Sequence, residues 1–438
     1  MREAVRTSPA DVVVIGAGPG GAATALTCAR AGLSVVVLER SPVWPRSKPC
    51  GDALTPRALA VLERLGVPVP PEWCVQRGLV SYGAGSTSHV FDWPEGEPGL
   101  PGRSVVVPRA IGDARLVAAA TAAGARLVTG ATVRAVARDE RGRASGVLTA
   151  DGRRIDGHVV VDAAGATSRF GTAGGLPRRA GWPLASAVRG YMRAAPGEGP
   201  DPARLHSWLT PRDATGERLT GYGWVFPLGD GLYNVGLGQL STSASFRRTD
   251  YRAQAKAFVA GLPARWGLRW VGEPVPGPDG GWSTAEVAAP QLRGAGLPMA
   301  LDRVVAYRRG LVLVGDAAGL VNPFNGEGVS YALASGELAG AAIAEAAALG
   351  WTGPGAERAL QGYHHALAGA FGDYYRAGRL FTRLIAHPGV VETGLAHLLP
   401  HPRLMHPIDL VMANLVPARG GTAQERTIRA ALRLAGAV

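Results

Sequence analysis

A glycine-rich turn between an apolar strand and a helix is the feature that most constrains the fold of this chain. The run Asp11–Ile15 is typical of a buried strand, and Ala22–Ala31 has a helical composition that ends at Gly32. A second apolar strand follows at Ser34–Leu38. Together these segments predict a βαβ unit, with two parallel strands joined by a crossover helix.

The turn itself fits the pattern G-x-G-x-x-G, with its glycines at Gly16, Gly18 and Gly21. The first permits a tight turn, the second lets a diphosphate approach the backbone, and the third lets the helix pack closely on the strand. Glu39 closes the second strand, a position from which a carboxylate accepts ribose hydroxyls. We therefore predict a dinucleotide site that contains these four residues and the adjacent Arg40.

Two segments far along the chain favour a flavin over a nicotinamide. The first is an apolar strand over residues 159–162 that ends at Asp162 and runs into a turn of small residues containing Gly165. Taken alone, this segment is equally typical of an ordinary strand-to-helix turn. In the company of the glycine-rich turn, it predicts that Asp162 and Gly165 belong to the cofactor site.

The second segment is a strand over residues 311–314 that ends in Gly315 and Asp316. An aspartate at such a strand end accepts a ribityl or ribose hydroxyl. A helix is predicted to begin near Gly328, just after Gly326, and its free N–H groups would stabilise negative charge on a reduced flavin. We place these four residues in the cofactor site.

These motifs, in this order, resemble the p-hydroxybenzoate-hydroxylase-like superfamily of flavoproteins over residues 11–345. The superfamily has an interior arginine ahead of a helix, which Arg109 matches, and its Gly-Asp segment contacts the ribityl chain, which maps onto Asp316. The resemblance implies FAD as the cofactor. It also implies an α/β fold: an FAD/NAD(P)-binding Rossmann-like domain with an inserted antiparallel-sheet substrate domain and a helical C-terminal region.

The same resemblance gives a division of the chain into three regions. The FAD-binding domain is predicted to be discontinuous and to comprise residues 1–75, 105–180 and 290–350. The substrate domain and the C-terminal region are predicted to comprise residues 76–104 and 181–289, and 351–438, respectively.

Two further segments narrow the resemblance to one family. Arg46–Leu54 contains Lys-Pro-Cys-Gly-Asp, and Gly221–Pro227 contains an aromatic-x-Trp-x-Phe-Pro motif. Both segments resemble the marks of the geranylgeranyl reductase family, and the chain is most similar to its actinobacterial menaquinone-reducing branch. This resemblance implies that the first segment lies near the isoalloxazine ring and that the second faces the substrate.

The aromatic motif has a simple physical interpretation. If it forms a strand, alternation places Tyr222, Trp224 and Phe226 on one face, a broad wall suited to an isoprenoid. The alternative is that the three rings pack a sheet core. We predict that these residues, with Pro227 and Phe324, bind the substrate.

Cys50 is the candidate catalytic residue in the first segment. Beside a flavin, and two residues from Lys48, its thiol could act as a weak acid or gate the flavin. It could equally be an inert buried side chain. Tyr222 and Trp224 complete the predicted catalytic set, and the proton source remains open between Cys50, Tyr222 and an ordered water.

The charge of the chain excludes some classes of function. Its net charge is +12, from 46 Lys and Arg against 34 Asp and Glu, but the arginines are scattered and no nucleic-acid-binding motif accompanies them. The basic surface could hold an anionic cofactor, rest on an anionic membrane or reflect codon usage alone. The nine histidines lack the spacing of metal ligands, so no metal is expected.

No signal peptide or membrane span is predicted. Met1–Ala10 is polar, and no run of about 18 apolar residues occurs. We expect a cytoplasmic protein that could contact the inner face of the cell membrane. The amphipathic segment Tyr374–Ile385 is a candidate for that contact, although a core-packed helix with exposed arginines is as plausible.

The function implied by the resemblance is reduction of C=C bonds in a geranylgeranyl or polyprenyl chain, including the menaquinone side chain, by hydride transfer from reduced FAD. The electron donor is open between NAD(P)H, ferredoxin and a quinol. An aromatic hydroxylase or a halogenase of the same superfamily is the alternative. A non-catalytic flavin-binding protein has little support, because every cofactor position is filled.

Overall fold

The computed structural model of this chain describes residues 9–83, 87–95, 99–277, 281–416 and 420–435. Its strands, in chain order, are β1 Ala10–Ile15, β2 Val35–Leu38, β3 Ala53–Leu54, β4 Cys74–Gln76, β5 Gly78–Tyr82, β6 Ser88–Asp92, β7 Ser104–Val106, β8 Arg126–Val128, β9 Val133–Arg138, β10 Ala144–Thr149, β11 Arg154–Asp162, β12 Leu184–Arg193, β13 Arg204–Trp208, β14 Tyr222–Gly229, β15 Leu232–Leu240, β16 Arg269–Val271, β17 Val275–Pro276, β18 Trp282–Ser283, β19 Arg293–Pro298, β20 Tyr307–Arg308 and β21 Leu311–Leu313. Its α-helices are α1 Pro19–Arg30, α2 Pro56–Arg64, α3 Arg109–Ala122, α4 Phe170–Ala173, α5 Tyr251–Ala260, α6 Val329–Ala348, α7 Gly353–Leu384, α8 Pro388–Leu398, α9 Pro402–Met412 and α10 Ala423–Ala435.

The first large sheet has the order β20-β21-β11-β1-β2-β8. Its strands β21, β11, β1, β2 and β8 run parallel, β20 is antiparallel at the edge, and the β9–β10 hairpin extends β11. The central strands are buried on both faces, as a parallel sheet with helices on its faces requires. The predicted α/β class and its N-terminal βαβ unit are confirmed.

Helix α1 begins earlier than the composition alone predicted. It starts at Pro19, whose fixed φ suits the first helical position, rather than at Ala22. The second half of the glycine-rich turn is therefore the first turn of the helix itself. Its free N–H groups lie at the carboxyl ends of the parallel strands, where ligands bind in such sheets.

The second large sheet has the order β16-β12-β15-β14-β13-β5-β6, with β19 also paired to β12. Its pairs are antiparallel, as predicted, except that β13 and β5 run parallel. These two strands are far apart in sequence, so no hairpin forces them to be antiparallel. The sheet takes strands from residues 78–92 and from residues 184–298. The domain boundaries remain a prediction. The predicted start of the last FAD-binding segment, residue 290, lies before β19, which is a strand of the second sheet.

The C-terminal helices cover both sheets. Helix α7 packs along α6, and α9 packs against β6. The segment Tyr374–Ile385 forms the last part of α7; Tyr374 and Tyr375 are buried, whereas Leu380 and Leu384 are 41% and 50% exposed. Its two tyrosines therefore belong to the core, whereas its leucines are about half exposed. Among the described residues, no helix combines the length and hydrophobicity that crossing a bilayer requires.

Candidate active site

A cavity of about 950 Å³ lies between the two sheets and the C-terminal helices. One end is lined by the turns that follow the parallel strands, and the middle by the face of the second sheet. The segments at the first end are residues 18–20, 48–53, 163–167, 315–316 and 323–329. Segments that are remote in sequence thus converge on one space.

The glycine-rich turn is shaped by close backbone contacts. Gly16 has φ +103°, and a Cβ there would lie 2.5 Å from the carbonyl oxygen of Ala163. A Cβ at Gly21 would lie 2.0 Å from the carbonyl oxygen of Gly16. Gly18 caps α1 and lines the cavity without a side chain. Gly16 and Gly21 thus permit close packing, while Gly18 opens the helix N-terminus to a ligand.

Glu39 is buried behind this turn. It accepts hydrogen bonds from the backbone N–H groups of Ala17, at 3.2 Å, and Ser41, at 3.0 Å, and from Nε of Arg46 at 3.1 Å. Burial alone would raise the pKa of Glu39, but the charge of Arg46 and these hydrogen bonds outweigh it and lower the pKa. The carboxylate is therefore ionised and held in place at neutral pH.

Arg46 is a residue that the sequence analysis did not assign. Besides Glu39, it contacts Asp113 at 3.3 Å. Its Nη2 lies 3.6 Å from the position that a Cβ at Gly18 would occupy. The guanidinium therefore faces the open helix end, and Arg40 also lines the cavity. Its place in the sequence could have indicated this role, since Arg46 is the first residue of the segment that contains Lys-Pro-Cys-Gly-Asp.

The Gly-Asp turn lies across the cavity from the same segment. The Asp316 Oδ2 atom is 3.8 Å from Nζ of Lys48, an ion pair that joins the two turns. Gly165, Gly315, Gly326 and Gly328 also line this space. Residues 326–329 belong to the N-terminal end of α6, where Gly328 is the cap and has no side chain. A second helix N-terminus thus lines the cavity.

Asp162, like Gly16, Gly21 and Glu39, lies behind the cavity lining. It is fully buried and is absent from the cavity lining. Its carboxylate accepts hydrogen bonds from the backbone N–H of Ala164, at 3.1 Å, and from Oγ of Ser168, at 2.6 Å. It holds the shape of the turn that lines the cavity.

This end of the cavity fits FAD. It has two helix N-termini without side chains at their caps, three basic side chains, and the carboxylate of Asp316. Helix N-termini and basic groups suit a diphosphate, and a carboxylate suits a polyol. The glycines leave open the space that Cβ atoms would fill. The basic residues are Arg40, Arg46 and Lys48.

Cys50 lines the cavity and is partly buried. Arg109 contacts it and binds both carboxylate oxygens of Asp113 at 2.9 Å. Burial alone would lower the pKa of Arg109, but the charges of Asp113 and Cys50 outweigh it and raise the pKa well above its usual value. The carbonyl of Cys50 accepts a hydrogen bond of 2.7 Å from Nδ2 of Asn234.

Tyr222 lines the same cavity near this thiol. Its hydroxyl donates to the carbonyl of Asn325 at 3.1 Å. Burial, followed by negative charge at Cys50, raises the pKa of Tyr222 to about 12. The phenol is therefore neutral and its proton is engaged, so its position suits orientation rather than proton release.

The predicted aromatic wall is present on β14. The ring centroids of Tyr222 and Trp224 are 5.6 Å apart, those of Trp224 and Phe226 are 6.2 Å apart, and all three rings line the cavity. Phe324 lines it as well. Pro227 is absent from the lining, because strand alternation turns it to the opposite face of the sheet.

Asp52 is the centre of a buried network that the sequence analysis missed. Its Oδ2 accepts hydrogen bonds from the Tyr191 hydroxyl at 2.5 Å and from Asn234 Nδ2 at 2.8 Å, and its Oδ1 is buried with no partner among the described residues. Burial raises the pKa of Asp52 to about 6. Arg189 lies 4.5 Å from the Tyr191 ring centroid and pairs with Glu273. Asp52 belongs to the Lys-Pro-Cys-Gly-Asp motif that the sequence analysis recognised. Its partners lie on separate strands, β12 and β15, and no local sequence pattern identifies them.

Beyond the aromatic wall the cavity becomes apolar. It continues between the second sheet and helices α7, α8 and α9. Asp409 of α9 lines this part as well, and the larger apolar side chains that line it from the helices are Phe381, Leu384, Ile385, Val390, Val391, Leu395, Leu398, Met405, Ile408 and Met412. An extended apolar space joined to a polar cofactor cleft suits a long hydrocarbon substrate.

Comparison with known proteins agrees with this geometry. A family profile described as an FAD binding domain matches residues 9–184. A menaquinone reductase of Mycolicibacterium smegmatis is 37% identical over 75% of this chain and 75% of its own length. A digeranylgeranylglycerophospholipid reductase of Methanopyrus kandleri is 32% identical over 77% of this chain and 80% of its own.

Solved structures with the same fold fall into more than one functional class. A geranylgeranyl bacteriochlorophyll reductase-like protein from Thermoplasma acidophilum matches with a TM-score of 0.72 and 21% identity, over 93% of this chain and all of that one (100%). The flavin-dependent brominase Bmp2 matches with a TM-score of 0.71 and 18% identity, over 98% of this chain and 99% of that one. At these identities the structures establish the fold alone.

Proposed function

This chain belongs to the geranylgeranyl reductase family of FAD-dependent flavoproteins, and from that membership we propose that it reduces C=C bonds of an isoprenoid chain. The polyprenyl side chain of menaquinone is the specific substrate that we propose. The observation that supports this most directly is the continuous cavity, with a cofactor cleft at one end and an apolar space beyond the aromatic wall.

The cofactor cleft gives each group of FAD a candidate partner. We propose that the open N-terminus at Gly18 and the guanidinium of Arg46 hold the diphosphate, and that Asp316 holds the ribityl chain. The N-terminus of α6 at Gly328 would face the pyrimidine ring. When bound and reduced, FAD supplies the hydride that the reaction needs.

The aromatic wall binds and orients the chain. An isoprenoid offers almost no hydrogen bonds, so its affinity comes from burial of apolar surface, at about 0.8 kcal/mol for each buried CH₂ group. Trp224 is fixed because its Nε1 donates to Oδ1 of Asn234 at 2.9 Å. A rigid wall restricts the alkene to a narrow range of positions, and such alignment supplies much of the rate enhancement for an unactivated double bond.

The proton must reach the alkene carbon next to the one that receives the hydride. We propose Cys50 as its donor, because its thiol lines the cavity beside Arg109 and Tyr222. The charge of Arg109 stabilises the thiolate that remains after the transfer. Tyr222 orients the site, since its own hydrogen bond goes to a backbone carbonyl.

Anaerobic turnover tests this proposal against the hydroxylase or halogenase alternative. Holoenzyme reduced with dithionite would be incubated with a prenyl quinone, and the product examined by mass spectrometry. We expect the side chain to gain two hydrogens for each double bond reduced. An unchanged prenyl quinone, together with oxygen or halogen incorporation into an aromatic compound in air, would contradict it.

We propose that the flavin is reduced by an external electron donor, either NAD(P)H or reduced ferredoxin. Each would be added anaerobically to the oxidised holoenzyme while the flavin absorbance is followed. Rapid bleaching by one donor alone identifies it. Bleaching by neither would exclude both.

We also propose peripheral contact with an anionic membrane, because the apolar part of the cavity lies beside exposed hydrophobic residues. Leu384 and Val390 line the cavity and are each 50% exposed, and Arg383 stands beside them on α7. Cosedimentation with vesicles should require anionic lipid and should weaken in Leu384→Glu. Equal binding of both proteins would contradict this contact.

A further inference from the structure

A row of polar side chains crosses the cavity face of the second sheet. Trp224 on β14 is paired in register with Ser207 on β13, Ser207 with Ser81 on β5, and Ser81 with His89 on β6. Residues directly opposite on neighbouring strands share a face, so the row begins at the aromatic wall and leads away from it. With strands about 4.8 Å apart, Ser81 is about 10 Å from Trp224.

Two serines of the row present their hydroxyls to the cavity. Ser81 and Ser207 both line the cavity, and Ser81 is only 4% exposed. Their hydroxyls make no hydrogen bond within the described part of the chain. Because both hydroxyls face the cavity and are not used by another described residue, each is free to form a hydrogen bond with a ligand that occupies this space.

The row ends in a buried His–Asp pair. The Nε2 atom of His89 is 2.9 Å from Oδ2 of Asp409 on α9, and the two residues are 5% and 3% exposed. Asp409 also lines the cavity. Burial raises the pKa of Asp409 to about 7 and lowers the pKa of His89, so both shifts favour a neutral, hydrogen-bonded pair.

The lining residues next to the row on its own strands and on α9 are mostly apolar, and the arginines that line the cavity lie on other segments. Leu79 and Leu205 line the cavity beside the serines, and Ile408 and Met412 face them from α9. Among the described lining residues of β5, β13 and α9, none is lysine or arginine. A phosphate head would be buried here without a counter-charge, next to the carboxyl of Asp409, and this is costly.

We propose that Ser81 and Ser207, with the His89–Asp409 pair behind them, bind the uncharged, carbonyl-bearing head of the prenyl substrate. Serine hydroxyls donate to carbonyl oxygens, and a quinone ring presents such oxygens without charge. The site is thereby selective for prenyl quinones over prenyl phosphates. The proposal rests on the proposed function, since the same cavity must hold the chain at the aromatic wall.

Equilibrium binding to the oxidised holoenzyme tests the head site without turnover. The probes are a short-chain prenyl naphthoquinone, the headless hydrocarbon squalene and geranylgeranyl diphosphate. The double variant Ser81→Ala/Ser207→Ala should bind the quinone about tenfold more weakly, the effect expected of two ordinary hydrogen bonds, and should bind squalene as before. The wild type should bind the diphosphate more weakly than the quinone.

Ser88→Ala is the matched control, because Ser88 precedes His89 on β6 but is exposed on the opposite face. It should leave all three affinities unchanged. If the double variant does not retain FAD, the two single variants replace it, each with a loss of about threefold. Equal quinone affinity in variant and wild type, or tighter binding of the diphosphate, would overturn the head site.

Failure of the head site and failure of the proposed function give different results. If the reduced wild type saturates a prenyl chain while the serine variants bind every probe normally, only the head site is wrong. If the reduced wild type saturates neither the prenyl quinone nor any other prenyl chain, the proposed function itself fails.

Discussion

At the scale of single residues, the Lys-Pro-Cys-Gly-Asp segment contains two acids with different surroundings. Both line the cavity, but Cys50 is only partly buried and lies beside Arg109, whereas Asp52 is 1% exposed and its carboxylate is held by Tyr191 and Asn234. A proton donor must reach the substrate, so the position of Cys50 suits transfer. Asp52 instead fixes the backbone of the segment, where its own φ of +65° is in a region that side chains rarely adopt.

Replacing the Cys50 thiol should therefore reduce the rate of turnover without reducing the binding of FAD. Cys50→Ala is expected to lower turnover at least about 100-fold, the usual range for loss of a general acid, while FAD stays bound. Cys74→Ala is the control, since Cys74 is partly buried but does not line the cavity. Single-turnover kinetics of the reduced enzyme would measure both. Unchanged turnover in Cys50→Ala would remove the thiol from the mechanism.

The buried carboxyl of Asp52 should make stability depend on pH. Its pKa is raised from 3.8 to about 6, so the folded state holds the proton more tightly than the unfolded state. The resulting contribution of Asp52 to the free energy of unfolding is fully present below about pH 4. It is lost as the pH rises towards 6, a change of about 3 kcal/mol. Asp52→Asn keeps an acceptor oxygen without the charge.

The free energy of unfolding of Asp52→Asn, relative to wild type, should therefore rise between pH 4 and 6 and stay level above. Urea unfolding of both holoenzymes over that range measures it, and the difference between them isolates Asp52 from other carboxyls. Parallel pH profiles would show that the carboxyl titrates normally.

At the scale of elements, the contact between α1 and α6 sets the width of the cofactor cleft. A Cβ at Gly336 of α6 would lie 2.4 Å from the carbonyl oxygen of Gly20 in α1, and one at Gly340 would lie 2.5 Å from Cβ of Thr27. These glycines let two helices approach closely. The helix N-termini at either side of the cleft are positioned by this contact.

Gly336→Ala should consequently weaken both folding and cofactor binding. The added methyl must push α6 away from the backbone of α1, at a cost of about 1–3 kcal/mol. Gly369→Ala is the matched control, because no atom in the described part of the chain lies within 4 Å of a Cβ at that position in α7. It should stabilise the helix by about 0.5–1 kcal/mol. FAD titration and thermal unfolding would compare the two variants. Equal FAD affinity and equal thermal stability of Gly336→Ala and Gly369→Ala would contradict tight packing of α1 on α6.

At the scale of the whole molecule, the cavity exists only because two sheets and the C-terminal helices enclose it. The turns that line the cofactor cleft come from segments that are far apart in sequence. A ligand that contacts them all binds the folded chain and not the unfolded one. Its binding free energy therefore adds to the stability of the fold.

Removal and return of FAD should show this coupling. At free FAD of about 100 times its dissociation constant, the holoprotein should be more stable than the apoprotein by about 2.7 kcal/mol. The midpoint of thermal unfolding should rise with the FAD concentration. A midpoint that is independent of FAD would mean that the cofactor does not join these segments.

By itself, the sequence determined the cofactor and the fold class. The glycine-rich turn, the Gly-Asp turn and the aromatic strand are local patterns whose order resembles that of a known flavoprotein family, and in the glycine-rich turn the backbone geometry itself requires glycine. Gly16 and Gly21 are examples, since close contacts leave no room for a Cβ. Such requirements can be recognised within a few residues.

Only the tertiary structure decided the partners of Asp52 and the polar row at Ser81 and Ser207. Asn234 reaches Asp52 from a strand 182 residues away, and the two serines meet through the unexpected parallel pairing of β5 with β13. Neither serine has a distinctive sequence context. Strand register and sheet order arise from packing of the whole chain. The neighbours that give these side chains their roles are therefore set by long-range pairing, which no local sequence pattern specifies.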